Sequence, residues 1–266
     1  MCQECGCGSG GADVKVGRHA PDHGQSHGPQ HYLDHAHHHN PGDPHGPRTL
    51  HLNRSLMEKN DQLAERNRDS FRAKKLLVLN VVSSPGAGKT TFISASAAQL
   101  AGKLRVGVIV GDLATDNDAA RMRAAGIPVV QITTGTVCHL DADMVAKAAG
   151  QLELDQLDVL VIENVGNLVC PADYDLGEDL RVVLLSTTEG EDKPLKYPPM
   201  FHSADVAIIT KLDLAAAAEF QREQALANLK TVSHHAIVFE LSAKTGAGMA
   251  AWLNYLMRQH EPTAAG

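Results

Sequence analysis

Several things are scarce or missing in this chain, and each absence removes a class of function. Basic residues are not in excess: 24 Lys and Arg stand against 31 Asp and Glu, for a formal net charge of −7. The clustered positive charge that neutralises a phosphodiester backbone is therefore lacking, and no nucleic-acid partner is expected. No apolar run approaches the ~20 residues of a membrane-crossing helix, and no basic stretch followed by an apolar one opens the chain. Neither a membrane span nor a secretory signal is expected, which points to a cytoplasmic protein. Cysteine is sparse and odd in number, with five in all; thiols kept reduced in the cytosol read as metal ligands or nucleophiles rather than disulfides.

Large apolar residues are also few in residues 1–50, which are built from Gly, Pro, Asp and His. Such a stretch buries too little surface to offset its ordering entropy and is expected to be disordered without a ligand. What it does hold is donor atoms. Cys2, Cys5 and Cys7 lie in MCQECGC, and ten of the fifteen histidines fall within the first 51 residues. His19, His23, His27, His31, His35 and His39 recur every fourth residue, but Pro21, Gly24, Gly28 and Pro29 exclude a helix with one histidine face. Clusters such as His37-His38-His39 are expected to buffer divalent metals weakly. Three thiolates spaced Cys-x-x-Cys-x-Cys, with the terminal amine as a fourth donor, suit a square-planar nickel site better than tetrahedral zinc.

The pattern changes at Ser55. SLMEKNDQLAERNRDSFRAKK combines helix formers with apolar Leu56, Leu63 and Phe71, and Ser55 reads as its cap. Residues 51–75 are thus expected to form an amphipathic linker helix between a tail (1–50) and the main domain (76–262). Within that domain, strands are expected at 76–83, 105–112, 127–133, 157–164, 181–188, 205–210 and 235–242. Helices are expected at 89–101, 115–125, 140–150, 214–230 and 247–259. Continuous Val/Ile/Leu runs alternating with helices predict an α/β fold with a mostly parallel seven-stranded sheet covered on both faces.

The loop Ser83-Ser84-Pro85-Gly86-Ala87-Gly88-Lys89-Thr90-Thr91 follows the first strand and opens a helix, the setting that a phosphate-binding loop requires. Gly86, Ala87 and Gly88 bring backbone N–H groups to the phosphates, Lys89 reaches the β/γ oxygens, Thr90 ligates magnesium, and Thr91 continues the loop. Ser83 stands where the stricter motif has its first glycine. Thr210-Lys211-Leu212-Asp213 resembles the guanine-reading N-K-x-D motif, in which the acid accepts from guanine N1–H and the exocyclic amine while the lysine stem lies along the ring. Thr210 replaces Asn, as in signal-recognition-particle GTPases. Ser242-Ala243-Lys244 resembles the companion loop at guanine O6. GTP is therefore expected rather than ATP. Glu163 ends a strand in Glu163-Asn164-Val165-Gly166, which resembles D-x-x-G; Gly166 N–H is the candidate γ-phosphate contact. Asp112, ending another strand, is a candidate for holding magnesium or orienting the attacking water. Asp116 and Asp118 read as ordinary helix caps.

Two further cysteines accompany this machinery. Cys138-His139 and Cys170 follow different strands and are expected to converge at the carboxyl edge of the sheet as a nickel or zinc site. Three ligands leave room for a fourth: water, Asp141, or a residue of a second subunit.

Taken together, the Cys-x-x-Cys-Gly-Cys start, the His-rich tract, EKNDQLAERNRDSF, SSPGAGKTT, TTGTVCHLDADM, ENVGNLVCP and EDKPLKYPPMF resemble the hydrogenase nickel-incorporation GTPases, the HypB family. The resemblance implies a G domain that dimerises on GTP, a tight nickel site at Cys2, Cys5 and Cys7, and a weaker nickel or zinc site at Cys138, His139 and Cys170. It also implies delivery of nickel to the large-subunit precursor of a [NiFe] hydrogenase, with an accessory nickel metallochaperone as partner. Lys193 or Lys196 of EDKPLKYPPMF would reach a partner's phosphates. Related readings are a GTPase serving urease or a cobalamin enzyme, and a nickel-storage protein with a secondary GTPase. The urease accessory G protein carries Cys-Pro-His, which is not the arrangement here.

Overall fold

The computed structural model describes residues 47–113 and 117–261, with side chains from residue 55 onward. Cys2, Cys5, Cys7 and the histidine tract through His45 lie outside the described residues. Met1–Ser55 and Leu56–Gly266 are two separate units; the second carries the sheet.

The first helix, α1 (Pro47–Ala73), starts earlier than its sequence pattern suggests and runs straight through Ser55. Proline at the first helical position has its φ already set for the helix and sacrifices no needed N–H. Ser55 is therefore interior and caps nothing. From Leu56 onward α1 is not a spacer but a packed element: Ala64 and Phe71 are buried, as are Asn60 and Asn67. Those two amides are satisfied by the body of the domain. Asn60 donates to Asp175 O (2.9 Å) and accepts from Ala142 N (3.0 Å), and Asn67 donates to Ala142 O (2.8 Å) and Leu176 O (3.1 Å). Arg68 adds a fork onto Asp175 (2.6 and 2.8 Å).

The remaining elements alternate: β1 (Leu77–Ser83), α2 (Lys89–Leu100), β2 (Val106–Asp112), α3 (Asn117–Ala124), β3 (Val129–Thr133), α4 (Ala142–Ala149), β4 (Val159–Glu163), β5 (Leu180–Ser186), α5 (Lys193–Lys196), α6 (Pro198–His202), β6 (Val206–Thr210), α7 (Arg222–Val232), β7 (Ile237–Glu240) and α8 (Met249–His260). The seven strands form one sheet in the order β3-β2-β4-β1-β5-β6-β7, with every pair parallel. β1 and β4 are buried at every position, as strands with both faces covered are, which is why they read as largely apolar runs, broken only by Asn80 within β1 and by the strand-end Ser83 and Glu163. On one face Phe92 of α2 and Trp252 of α8 meet (centroids 5.4 Å apart), and Trp252 Nε1 donates to Ser96 Oγ (3.2 Å). Truncating a buried aromatic of this kind to alanine costs roughly 3–5 kcal/mol. α1 and α4 cover the opposite face through Phe71 and Val145, and Met200, Phe201 and Leu229 form a third cluster beneath α6 and α7.

Three expected boundaries move. The 181–188 strand stops at Ser186, whose Oγ accepts from Thr188 N and starts a 3-10 turn over Thr187–Glu189. The 214–230 helix is broken: Glu219 adopts φ 52°, a left-handed conformation that ends a helix, so α7 begins at Arg222. At the sheet edge β7 shrinks to four residues, with Ile237 and Val238 exposed.

β1 lies at the centre, and the chain crosses to β2 on one side and later to β5 on the other. A crevice opens above the carboxyl ends where the direction of winding reverses, the usual ligand position in such sheets. The loops after β1, β2, β4 and β6 all end there.

Candidate functional site

The loop between β1 and α2 is tied down from two sides. Gly88 caps α2 at φ 99°, a conformation that a side chain would strain. From β6, Thr210 Oγ1 donates to Ala87 O (3.0 Å) and Lys211 Nζ to Gly86 O (2.7 Å). From β4, Gly166 lies so close that a Cβ there would sit 3.0 Å from Pro85 Cα. Any side chain at 166 would therefore push the two loops apart by a few tenths of an ångström. Lys89 is 8% exposed and its Nζ donates to Ser83 Oγ (3.1 Å). Burial pushes its pKa down, against the pull of Glu163, Asp118, Glu189 and Asp112.

A cavity of about 410 Å³ opens above this loop, lined by Gly86, Gly88, Lys89, Thr90, Thr91, Asp112, Asp118, Arg121, Glu163 and Gly166. Thr90 Oγ1 is 2.8 Å from both Asp118 Oδ2 and Glu163 Oε1. One hydroxyl proton cannot serve two carboxylates at once. Glu163 is 3% exposed, and burial raises its pKa from 4.5 to about 7, opposed by the Thr90 bond and the Lys89 charge. Its Oε2 is buried with no hydrogen-bond partner among the described residues. Two carboxylates, one of them with an orphaned oxygen, and a hydroxyl fit the all-oxygen demand of a magnesium ion. Asp118 is therefore no simple cap, contrary to the sequence expectation; its Oδ1 takes the Arg121 guanidinium, and its Oδ2 turns into the cavity. The run of acids after β2 was the available signal, but only the fold brings Asp118 to Thr90. Asp116 lies outside the described residues.

The raised pKa of Glu163 has a measurable consequence. Between roughly pH 4.5 and 7 the folded chain keeps a proton that the unfolded chain has lost, so this group's contribution to stability falls as pH rises and is lowest above that window. In the metal-free, nucleotide-free chain, Glu163→Gln is expected to match the parent near pH 4 and to exceed it at pH 8 by up to about 3 kcal/mol. Parallel thermal-melting curves across this range would refute the assignment.

A second cavity of about 250 Å³ lies between α2 and the ends of β6 and β7, lined by Ala87, Gly88, Thr91, Lys211, Asp213, Ser242, Ala243 and Lys244. Ser242 Oγ donates to Asp213 Oδ1 (2.6 Å), which aims the carboxylate. Lys211 takes a left-handed backbone (φ 58°), and its carbonyl accepts from Thr187 Oγ1 (2.8 Å). The motif is thereby locked to the loop after β5. The nearby Glu189, singled out by no motif, is a half-buried carboxyl; burial raises its pKa, and Lys193, then Ser84, oppose the shift. Lys193 Nζ lies 3.4 Å from Ser84 Oγ of its own chain, whereas Lys196 pairs with Asp192 (2.6 Å).

Beyond Gly166 the β4 loop continues into the third constellation. The candidate ligand atoms of Cys138, His139 and Cys170 all lie within 4.8 Å of one another, and the two Sγ atoms are 2.9 Å apart. Among the described residues this is the only place where three Cys, His, Asp or Glu side chains bring their ligand atoms this close together. His139 is buried, stacks on Tyr174 (3.9 Å between centroids), and has an Nδ1 without a partner among the described residues. Burial lowers its pKa, which keeps the imidazole neutral and able to donate a lone pair. Asp141, one of the possible fourth ligands, instead caps α4 by accepting from Met144 N (2.8 Å). Asn167 Nδ2 reaches back to Cys138 O (3.2 Å), so the loop that touches Pro85 also holds the first thiol's backbone.

A parallel sheet with this loop between its first strand and first helix, and with base and phosphate cavities beside it, defines a P-loop nucleotide-binding protein. Residues 77–240 match the family model described as CobW/HypB/UreG, nucleotide-binding domain. The chain is 42% identical to the hydrogenase maturation factor HypB of Escherichia coli K12, over 97% of this chain and 99% of that protein. It is 40% identical to the hydrogenase/urease maturation factor HypB of Helicobacter pylori strain 26695, over 77% of this chain and 85% of that protein. It also superposes on the crystal structure of H. pylori HypB in complex with nickel, with a TM-score of 0.73 and 39% identity, covering 78% of this chain and 99% of the other. The chain belongs to the HypB family of hydrogenase maturation factors.

Proposed function

We propose that the chain is a GTP-hydrolysing nickel metallochaperone that hands nickel to the large-subunit precursor of a [NiFe] hydrogenase. One observation carries this reading: residues 163–170 run from the carboxyl beside Thr90, past a glycine packed on Pro85, to a thiol of the Cys138/His139/Cys170 cluster. Occupancy of the phosphate cavity and geometry of the metal cluster are then functions of one loop.

In this reading Lys89 swings from Ser83 to the β/γ oxygens, Gly166 N–H meets the γ-phosphate, and Asp213 accepts from guanine N1–H and the exocyclic amine beside Lys211 and the 242–244 loop. Thr90 and Asp112, together with Asp118 and Glu163, would hold magnesium or its waters, and the ion supplies charge neutralisation at the phosphates. Asp112 and Glu163 place the attacking water, and the Arg121 cation faces the developing charge. Cys138, His139 and Cys170 hold the cargo, nickel or zinc, while Cys2, Cys5 and Cys7 hold nickel tightly. Loss of the γ-phosphate releases Gly166 and moves Cys170. Exposed Leu113, Val169 and Leu195 suit a second copy as cover, and GTP would favour that homodimer. An accessory nickel metallochaperone and the hydrogenase precursor are the partners. The name of the H. pylori relative adds urease as a second possible recipient.

The test is nickel titration of the full chain carrying Cys2→Ala, Cys5→Ala and Cys7→Ala, in GDP and in a non-hydrolysable GTP analogue, with sedimentation in parallel. The two states are expected to differ in nickel affinity by a factor on the order of ten, and nickel must shift nucleotide affinity by the same factor. Cys138→Ala or Cys170→Ala should abolish the coupling and the cluster's share of the binding, leaving weak binding by the tail histidines that does not depend on the nucleotide. Equal affinity in the two states, or a dimer equilibrium indifferent to both ligands, sinks the switch.

A further inference from the structure

The interior of the domain holds a polar chain that neither the nucleotide cavity nor the metal cluster accounts for. Asn80 sits in the middle of the central strand β1, fully buried, in register with Ile162 of β4 and Arg181 of β5. An amide there is unfavourable unless its hydrogen-bonding groups are satisfied, and they are. Asn80 Oδ1 accepts from Asn164 Nδ2 (3.2 Å), and Asn80 Nδ2 donates to Glu178 Oε1 (2.9 Å). Glu178 Oε1 takes Arg181 Nε (3.0 Å) and a terminal nitrogen (2.8 Å), and its Oε2 takes Leu176 N (2.8 Å). Arg181, 8% exposed, has three N–H groups left, and they go to Ala172 O (2.9 Å), Ser203 Oγ (3.1 Å) and Tyr174 O (2.7 Å). All five guanidinium donors are therefore used.

The two ends of this chain decide its meaning. Asn164 directly follows Glu163, and its Oδ1 accepts from Leu140 N (3.3 Å), next to His139, and from Val165 N (2.9 Å). At the far end, Ala172 and Tyr174 bracket the exit of the 3-10 turn Cys170–Asp173, and the Tyr174 ring stacks on His139. Both arms of the Cys/His cluster thus hang from one hydrogen-bonded unit rooted beside the phosphate cavity. A low-dielectric interior makes each link directional and costly to leave unmade.

We infer that Asn164, Asn80, Glu178 and Arg181 are positioning residues that transmit the state of the loop after β4 to both arms of the Cys138/His139/Cys170 cluster. The inference rests on the proposed nucleotide–metal switch and names the route by which it acts. When the loop after β4 shifts, Asn164 draws on Leu140 directly and on the Cys170 turn through Asn80, Glu178 and Arg181. Thiolate and imidazole donors then change their spacing together rather than one at a time.

The measurement is the ratio of nickel affinities in GDP and in the GTP analogue for Asn80→Ser, in the same thiol-silenced full chain, alongside GTP affinity and thermal stability. The expected result is a ratio within about twofold of one where the parent shows about tenfold, with GTP affinity unchanged. A scaffold that merely holds the fold together would lower stability, and nickel affinity equally in both states, leaving the parent ratio intact. That result overturns the relay and spares the switch. A parent ratio of one overturns both. Should Asn80→Ser fail to fold, Arg181→Lys reads the same quantity, because a lysine retains the charge beside Glu178 but offers three N–H donors from one point where Arg181 uses five from a planar fork; a parental ratio there overturns the relay equally.

Discussion

Replacing Lys89 with alanine is expected to lower kcat for GTP hydrolysis by about two to three orders of magnitude, the scale set by removing one preorganised donor from developing transition-state charge. Stability should move differently. Burial depresses the Lys89 pKa, which marks a cation held at a cost in the nucleotide-free fold. Lys89→Ala should consequently melt no lower than the parent at neutral pH, and nickel should still bind at Cys2, Cys5 and Cys7. A thermal melt and a nickel titration beside the phosphate-release assay check all three. Loss of nickel binding in a folded Lys89→Ala chain would mean that tail and nucleotide site are not separate constellations.

The second large effect concerns the base. Asp213→Asn is expected to weaken GTP by roughly three orders of magnitude and to make xanthosine triphosphate the better ligand, since a site built around specific hydrogen bonds rejects the wrong partner strongly. The carboxylate that Ser242 orients would accept from the exocyclic amine of guanine, whereas an amide would offer an N–H to the C2 carbonyl of xanthine. Competition of both nucleotides against a fluorescent guanine analogue measures the inversion. Unchanged GTP affinity would place base recognition elsewhere than the cavity beside Lys211.

How much of this was legible in the chain differs from element to element. The seven strands, their parallel sense and the phosphate loop follow from local pattern: strands buried on both faces must be apolar throughout, and a Gly-rich turn between strand and helix has few other uses. The metal trio was legible as chemistry because Cys and His beside Gly-rich strand ends have few structural roles at that edge.

What failed locally failed for identifiable reasons. Ser55 has the side chain of a cap, yet the proline upstream offers an earlier start and the helix takes it. The 214–230 stretch is rich in alanine, but its propensity yields to a left-handed Glu219 and the turn that leads into α7. Asp118 looked like a cap because a cap needs only its neighbours, whereas an Asp facing Thr90 needs β2 and α2 side by side. The same holds for Asn80 and Arg181. In the linear chain they are a polar interruption in one apolar run and the first residue of another; only the pairing of β1 with β5 places them in register and turns two liabilities into one satisfied network. Sequence by itself determined the class of fold and the phosphate loop, and it named Cys138, His139 and Cys170 as candidate donors, because these depend on residue type and short-range spacing. Tertiary structure alone decided which carboxylates share Thr90, that Gly166 touches Pro85, and that Asn164, Asn80, Glu178 and Arg181 form one buried hydrogen-bonded network, because each depends on contacts between residues far apart in the chain.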